Sequence, residues 1–262
     1  MNDIPAFTGL TNAITLNFLK TNKSASGLQL KAVITKADEK LETLFSLICK
    51  IGNKVTLVFC NHRDAVDRIS DLLWDMRVIH DVFHGGMEQE DREKALIKFR
   101  NGSTQLLITT DLASRGLDIP EIEYIIHYQL PHNIEAFTHR NGRTARMHAG
   151  GTAYLLLTPD ERYDYLEAQP EIETLPANNV LPQPTLWATL YISAGKKDKV
   201  NKIDIVGLLL KKTKLAKDDI GLIEVLDYTS YVAVKRKLIK QTVEALKAEK
   251  IKNKKVKIEI AT

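Results

Sequence analysis

Between residues 55 and 157, short and almost wholly apolar runs alternate with segments of helical spacing, and few folds accept that pattern. VTLVFC (55–60), IHDVFH (79–84), QLLITT (105–110), EYIIHY (123–128) and GTAYLLL (151–157) read as strands. RDAVDRISDLLW (63–74), QEDREKALIKF (89–99) and NIEAFTHRNG (133–142) read as helices between them. Strands without polar alternation are buried on both faces, which is the pattern of a parallel sheet covered by helices on both sides. Ligands of such sheets lie beyond the carboxyl ends of the strands. The informative residues are therefore expected just after the strands.

The alternation then stops. Five of the eight prolines fall between Pro159 and Pro184, and LPANNVLPQPT combines turn formers with little periodicity. Proline removes a backbone donor and restricts its predecessor, so an extended linker is expected there. The boundaries drawn are 1–27 for a leading segment, 28–174 for the first domain, 175–186 for the linker and 187–262 for a second domain. In the second domain TLYISAG (189–195), IGLIEVL (220–226), YVAVKR (231–236) and VKIEI (256–260) read as strands. KIDIVGLLLKKT (202–213) and LIKQTVEALKAE (238–249) read as helices. The order β-α-β-β-α-β is the split βαβ, or ferredoxin-like, arrangement that RRM domains use.

Charge divides along the same line. Residues 187–262 carry 18 Lys+Arg against 9 Asp+Glu, whereas residues 1–186 carry 19 against 24. A basic half on a mildly acidic one suits a polyanionic partner, and equally a solubilising lysine surface. Cys49 and Cys60 form no CxxC pair and lie in apolar runs, as core residues of a reducing compartment do. The start MNDIPAFTGL lacks a basic leader, and no apolar window approaches membrane-spanning length. A cytoplasmic protein with no membrane partner is expected.

Three groups follow strands in the first domain. TTDLASRGLDIP (109–120) brings Thr110, Arg115 and Asp118 to the sheet edge. In HGGMEQEDR (84–92), Gly85 and Gly86 permit close backbone approach, and Gln89 and Arg92 share a helical face. HRNGRTARMHAGG (139–151) sets His139 ahead of Arg140, Arg143 and Arg146, spaced by three. On a helix Arg143 and Arg146 would offer two guanidinium forks to one side, a match for phosphate oxygens. Taken singly, each group is as well explained by a solvated helix face or a turn. His80 and His84, four apart, would suit a metal on a helix, but their run reads as a strand and no metal site is expected.

VFCNHR, HGGMEQEDREKALIKFRNGS, TTDLASRGLDIP and HRNGRTAR resemble, in that order and at family spacing, motifs IV, IVa, V and VI of the DEAD-box RNA helicases. The resemblance covers roughly residues 30–158 and implies the second RecA-like domain of such an enzyme. It implies that Arg143 and Arg146 reach the γ-phosphate of ATP, with Arg146 as the arginine finger, and that Asp118 holds the ribose. His139 would couple to the acidic motif of the other RecA-like domain. Gly85, Gln89, Arg92, Thr110 and Arg115 would belong to the RNA-facing or domain-coupling surface. An arginine delivered to a transferring phosphoryl group contributes about 10³–10⁵ in rate. His62 stands where the family often has Thr or Ser, and Asn141 where it often has Ile.

There is no GxxxxGK[ST] sequence and no DEAD sequence; the pair Asp38–Glu39 reads as helix-start charge. The chain thus holds half an ATP site and alone should hydrolyse ATP negligibly. ATP, Mg²⁺ and the N-terminal RecA-like domain are expected of a longer enzyme, and MNDIPAFTGL with AITLNFL resembles the tail of that first domain. The basic half, through TLYISAGKKDKVNKIDIVG, YVAVKR and KIKNKKVKIEI, resembles the RNA-binding domain of DbpA-type DEAD-box helicases. That resemblance implies an RRM-like fold, binding to a 23S rRNA hairpin and a role in large ribosomal subunit assembly. Tyr191 and Tyr231 fall at the aromatic places of the two RNP motifs, where stacking would contribute roughly 1–3 kcal/mol per base. They are otherwise sheet tyrosines. Lys196, Lys197 and Lys199, then Lys235, Arg236 and Lys237, then Lys252, Lys254 and Lys255 are the candidate phosphate contacts. The alternatives are a stand-alone, non-enzymatic RNA-binding adaptor and half of a DNA helicase.

Overall fold

The computed structural model describes residues 27–111, 119, 121–144, 150–166 and 170–262. The first domain runs β1 (Leu28–Ile34), α1 (Lys40–Ile51), β2 (Thr56–Cys60), α2 (Arg63–Asp75), β3 (Asp81–Phe83), α3 (Gln89–Arg100) and β4 (Leu106–Thr110). It continues through β5 (Tyr124–His127), α4 (Ile134–Asn141), β6 (Gly151–Leu157) and the short β7 (Glu171–Ile172). All seven strands are parallel, in the order β3-β4-β2-β5-β6-β1-β7. Successive strand residues point to opposite faces. Val58 and Cys60 pack with Leu44, Leu47 and Ile69 of α1 and α2, while Leu57 and Phe59 pack with Phe83 and Phe99 on the α3 side. This is the doubly covered parallel sheet that the unbroken apolar runs predict.

β1 lies outside the elements assigned from the sequence, whereas α1 starts directly after the helix-start charge read at Asp38–Glu39. β1 pairs with β6 along all seven residues, from Leu28↔Gly151 to Ile34↔Leu157. α1 begins beside Glu39, buries Leu44, Leu47 and Ile48 on one face, and stops at Gly52, whose φ of 70° only glycine adopts without strain.

The second domain is β8 (Trp187–Ile192), α5 (Lys202–Lys212), β9 (Ile220–Val225), β10 (Ser230–Lys235), α6 (Arg236–Leu246), a small hairpin of β11 (Lys250–Ile251) and β12 (Lys254–Lys255), and β13 (Ile258–Ile260). Its antiparallel sheet has the order β13-β8-β10-β9, the ferredoxin-like order. The last helix ends three residues earlier than its spacing predicts, at Leu246 rather than 249. The chain instead forms the β11–β12 hairpin, whose two turn residues, Lys252 and Asn253, have φ of 51° and 64°. α5 and α6 cover one face, where Leu190, Ile192, Ile205, Leu209, Val232, Val234 and Ile239 form the core.

The opposite face of that sheet is also covered. Thr189, Tyr231 and Ala233 point away from their own core, yet they are 1%, 6% and 0% exposed. The cover is the end of α3 and the following loop. Arg100 holds Glu224 in a two-pronged pair through one guanidinium edge (Nε to Oε1 3.0 Å, Nη2 to Oε2 2.6 Å). Asn101 Nδ2 donates to Thr189 Oγ1 at 2.9 Å, and Thr189 Oγ1 donates to Ser103 Oγ at 2.8 Å. At Gly102, with φ of 76°, a Cβ would lie 3.4 Å from Cδ1 of Trp187.

Candidate functional site

The ends of β2, β4 and β5 meet around Arg140. This residue, from the last turn of α4, is 1% exposed. Its guanidinium forms a fork with Asp111 (2.6 and 2.8 Å), donates to the Gln129 carbonyl at 2.6 Å and to Asn61 Oδ1 at 2.7 Å, and stacks 5.1 Å from the Phe59 ring centroid. The first of the three spaced arginines therefore faces a carboxylate of its own domain. α4 is capped by Asn133, whose Oδ1 accepts from the Ala136 amide at 2.9 Å.

Arg143 follows the helix and is half-buried. The segment that carries it is fixed on both sides. Its own amide donates to Arg140 O at 3.1 Å, and Thr144 bridges to Ile122 and donates its hydroxyl to the Ile122 carbonyl. His139 is exposed on α4. Arg146, Arg115 and Asp118 lie outside the described residues. Asn141, the departure from the family pattern, has a partner. Its Oδ1 accepts from His127 Nε2 at 2.9 Å, both groups buried. Burial, with the Arg140 cation as a second cause, pulls the His127 pKa down to about 3, so this imidazole is neutral.

The coupling surface runs along the next strand ends. Thr110 closes β4 half-buried, and the neighbouring Thr109 hydroxyl donates to the Phe83 carbonyl at 2.7 Å. Gly85 is exposed, and a Cβ there would meet nothing within 4 Å. Gln89 opens α3 and accepts from Arg92 Nη1 at 3.3 Å, while the Arg92 guanidinium lies 5.1 Å from the Phe83 ring centroid. Both imidazoles of the His80–His84 pair are engaged within the domain. His80 contacts Ser70 Oγ and Val78 O at 2.8 Å each; His84 contacts Asp67 Oδ1 at 2.9 Å and accepts from the Gly86 amide at 3.2 Å.

In the second domain the lysines gather. Lys196, Lys197 and Lys199 stand exposed in the loop after β8, and Lys252, Lys254 and Lys255 on the β11–β12 hairpin. Lys254 reaches Asp198 at 2.5 Å, which joins loop and hairpin into one ridge, and Lys252 reaches Asp204 of α5 at 2.8 Å, which ties the hairpin to that helix. The two lysines hold the Asp198 and Asp204 carboxyls below their usual range. The loop sits on the 226–227 turn, where Lys196 N and Lys197 N donate to Leu226 O and Asp227 O at 2.8 and 2.9 Å.

Three candidates are placed differently from the expectation. Arg236 turns inward. Its guanidinium donates to the Thr185, Trp187 and Ser103 carbonyls at 2.7, 2.6 and 2.8 Å and to Thr185 Oγ1, so Nε and Nη2 are committed to the segment before β8 and to the domain contact. Lys235 pairs with Asp219 at 2.9 Å, while Lys237 is exposed. Tyr231 is buried and meets Tyr191 edge-on at 5.6 Å between centroids, which leaves no ring face for a base in this arrangement of the domains. The Arg140–Asp111–Asn61 hub was not among the candidates; its only sequence signal is the arginine that opens the spaced series.

Residues 39–148 match the helicase conserved C-terminal domain, and residues 189–260 match the DbpA RNA binding domain. The chain is 33% identical over 233 residues to the ATP-dependent RNA helicase DbpA of Escherichia coli, a match covering 86% of this chain and 51% of that protein. To the ATP-dependent RNA helicase DbpA of Bacillus subtilis it is 30% identical over 257 residues, covering 87% of this chain and 54% of that protein. The chain thus spans about half the length of these relatives. Its fold resembles the E. coli DEAD-box protein SrmB crystallised bound to regulator of ribonuclease activity A, with a TM-score of 0.51 and 24% identity over 59% of this chain and 96% of that one.

Proposed function

The chain is a DbpA-like member of the DEAD-box RNA helicases, with the helicase conserved C-terminal domain followed by the DbpA RNA binding domain, and from that premise we infer that it supplies the arginine half of an ATP site and an anchor for structured RNA. The observation that carries the anchor is the single ridge formed by the 196–199 loop and the β11–β12 hairpin. Six exposed ammonium groups in one place are a phosphate-binding surface, even with two of them shared with Asp198 and Asp204. The RNA we assign to it is a hairpin of 23S rRNA, and the process is assembly of the large ribosomal subunit in the cytoplasm.

The arginine half rests on Arg143. Its main chain lies between two fixed points, the amide bond to Arg140 O and the Thr144–Ile122 bridge, so the guanidinium is delivered from a defined place, as preorganised charge stabilisation requires. The partner would be an N-terminal RecA-like domain carrying the phosphate-binding loop. ATP would arrive with Mg²⁺; among the described residues no group of three or more His, Cys, Asp or Glu side chains suits a metal ion. The role proposed for this chain is cationic, with Arg143 and Arg146 on the γ-phosphate, Asp118 on the ribose and His139 toward the other domain. Gly85, Gln89, Arg92, Thr110 and Arg115 would line the RNA-facing side.

The test is binding of a 23S rRNA hairpin fragment to the whole chain by fluorescence anisotropy, against a scrambled competitor, at two salt concentrations. Hairpin preference should hold at both, with a log–log salt slope of roughly −4 if about five phosphates are neutralised. Lys196→Glu/Lys197→Glu should lower affinity at least tenfold. Equal, salt-erased binding of both RNAs would leave only a generic basic surface.

A further inference from the structure

Among the described residues of the second domain, Trp187, Tyr191 and Tyr231 are buried or half-buried, and Tyr228 is the exposed aromatic side chain, at 68%. The topology puts it beside the lysine ridge. β8 and β9 each run antiparallel to β10, so their carboxyl ends lie at the same end of the sheet. β13 is antiparallel to β8, so the β11–β12 hairpin that leads into it reaches that end too. The loop after β8, the turn after β9 and the hairpin therefore emerge together. The turn is fixed through its main chain. Leu226 N donates to Thr229 O at 2.8 Å, the Lys196 and Lys197 amides donate to Leu226 O and Asp227 O, and Ser230 Oγ donates to Ala194 O at 2.7 Å. Tyr228 thus stands on the piece of chain that holds the lysine loop. An open groove of about 500 Å³ starts from the same turn at Leu226 and runs along β9, with Lys196, Asn201 and Lys202 on its other wall. Both lysines are exposed, and the carboxylate in the groove, Glu224, is already held by Arg100 at 2.6 Å. Asp227, exposed beside the tyrosine, disfavours a phosphate there and leaves the ring to an uncharged group.

We propose that Tyr228 is a base-stacking, specificity-determining residue of the RNA anchor: its ring takes an unpaired base of an RNA loop, while Lys196 and Lys202 hold the flanking phosphates. Lysines alone read charge and not sequence, because the phosphate is the same at every position. A ring carried on a fixed turn needs no main-chain ordering when a base arrives. Bases inside a duplex are already stacked and cannot use it, whereas the unstacked bases of a loop can. Affinity then comes from the lysines and the preference for a loop from the tyrosine. The proposal rests on the ridge binding RNA.

The test uses the whole chain and a 23S rRNA hairpin fragment, with affinity read by fluorescence anisotropy across a salt series. Tyr228→Ala should lower hairpin affinity about tenfold and leave the log–log salt slope unchanged, since no phosphate contact is lost. Tyr228→Trp should hold affinity within about twofold, because the ring face and not the hydroxyl makes the contact. Lys202→Gln should instead reduce the slope by about 1. A blunt RNA duplex should bind the parent chain and Tyr228→Ala alike. Hairpins with one abasic loop position at a time locate the base. At one position the abasic change should weaken the parent chain about tenfold and Tyr228→Ala by less than about twofold, a coupling that a merely structural tyrosine would not show. The thermal midpoint of Tyr228→Ala should match that of the parent. Unchanged hairpin affinity in Tyr228→Ala, or the same abasic profile in both proteins, would overturn the stacking and leave the lysine anchor standing. If Lys196→Glu/Lys197→Glu leaves hairpin binding unchanged, the anchor falls and the stacking falls with it.

Discussion

Arg140 shows how much one residue's surroundings matter. It belongs to a series of three that reads as a phosphate surface, but its guanidinium is fully enclosed and paired with Asp111. Removing the guanidinium deprives Asn61 Oδ1 and the Gln129 carbonyl of a charged donor, at a cost of about 1.5–3 kcal/mol. Arg140→Ala should show a loss of that order in urea unfolding, and Arg140→Lys, which keeps the charge but not the fork, should remain clearly destabilised. His127 makes a pH prediction. Its folded pKa is about 3, below the ordinary value of 6.5, because burial penalises the charged ring. The unfolded chain therefore takes up the proton first as pH falls. The stability tied to neutral His127 is complete above 6.5 and is lost as pH falls toward about 3, at up to ~1.4 kcal/mol per pH unit. Urea midpoints between about pH 7 and pH 5 should fall less steeply in His127→Gln than in the parent chain.

At the scale of elements, the loop after β8 is held by backbone, not by its lysines. A Cβ on Gly195 would lie 2.3 Å from Leu226 O and 2.6 Å from Asp227 O, both main-chain atoms that side-chain rotation cannot move aside. Gly195→Ala should displace the loop, break the Lys196 and Lys197 amide bonds to that turn, and lower hairpin RNA affinity about tenfold with no change in charge. Gly85→Ala is the contrast. Nothing lies near its added methyl, so stability should stay within about 0.5 kcal/mol. Thermal unfolding of the two variants, beside RNA titrations, separates loop position from loop charge.

For the whole molecule the decisive feature is that two domains, each with its own hydrophobic packing, share a buried polar contact. Domains coupled this way unfold together when the contact is worth more than the difference in their own stabilities. Unfolding followed by far-ultraviolet circular dichroism and by Trp187 fluorescence, with Trp74→Phe as background, should coincide at low salt. Arg100→Glu should separate the two curves. Coincident curves in that variant would mean that the ion pair does not couple the domains.

Elements with a local cause were legible in the sequence. Unbroken apolar runs required a doubly covered sheet, and helical spacing placed α2, α3, α4 and α5, because periodicity acts over a few residues. The ordered motifs and the GKKDK loop likewise carried the family. Tertiary structure decided whatever depended on distant partners. β1 became a strand by pairing with β6, more than a hundred residues away in the chain. Arg140 became a buried hub because Asn61 and Asp111, 79 and 29 residues distant, converge on it. Arg236 left the ridge and Tyr231 lost its open face because the first domain docks where an isolated RRM-like sheet would meet solvent. A side chain's chemistry is written locally, but which groups compete for it is settled only when the chain folds back on itself.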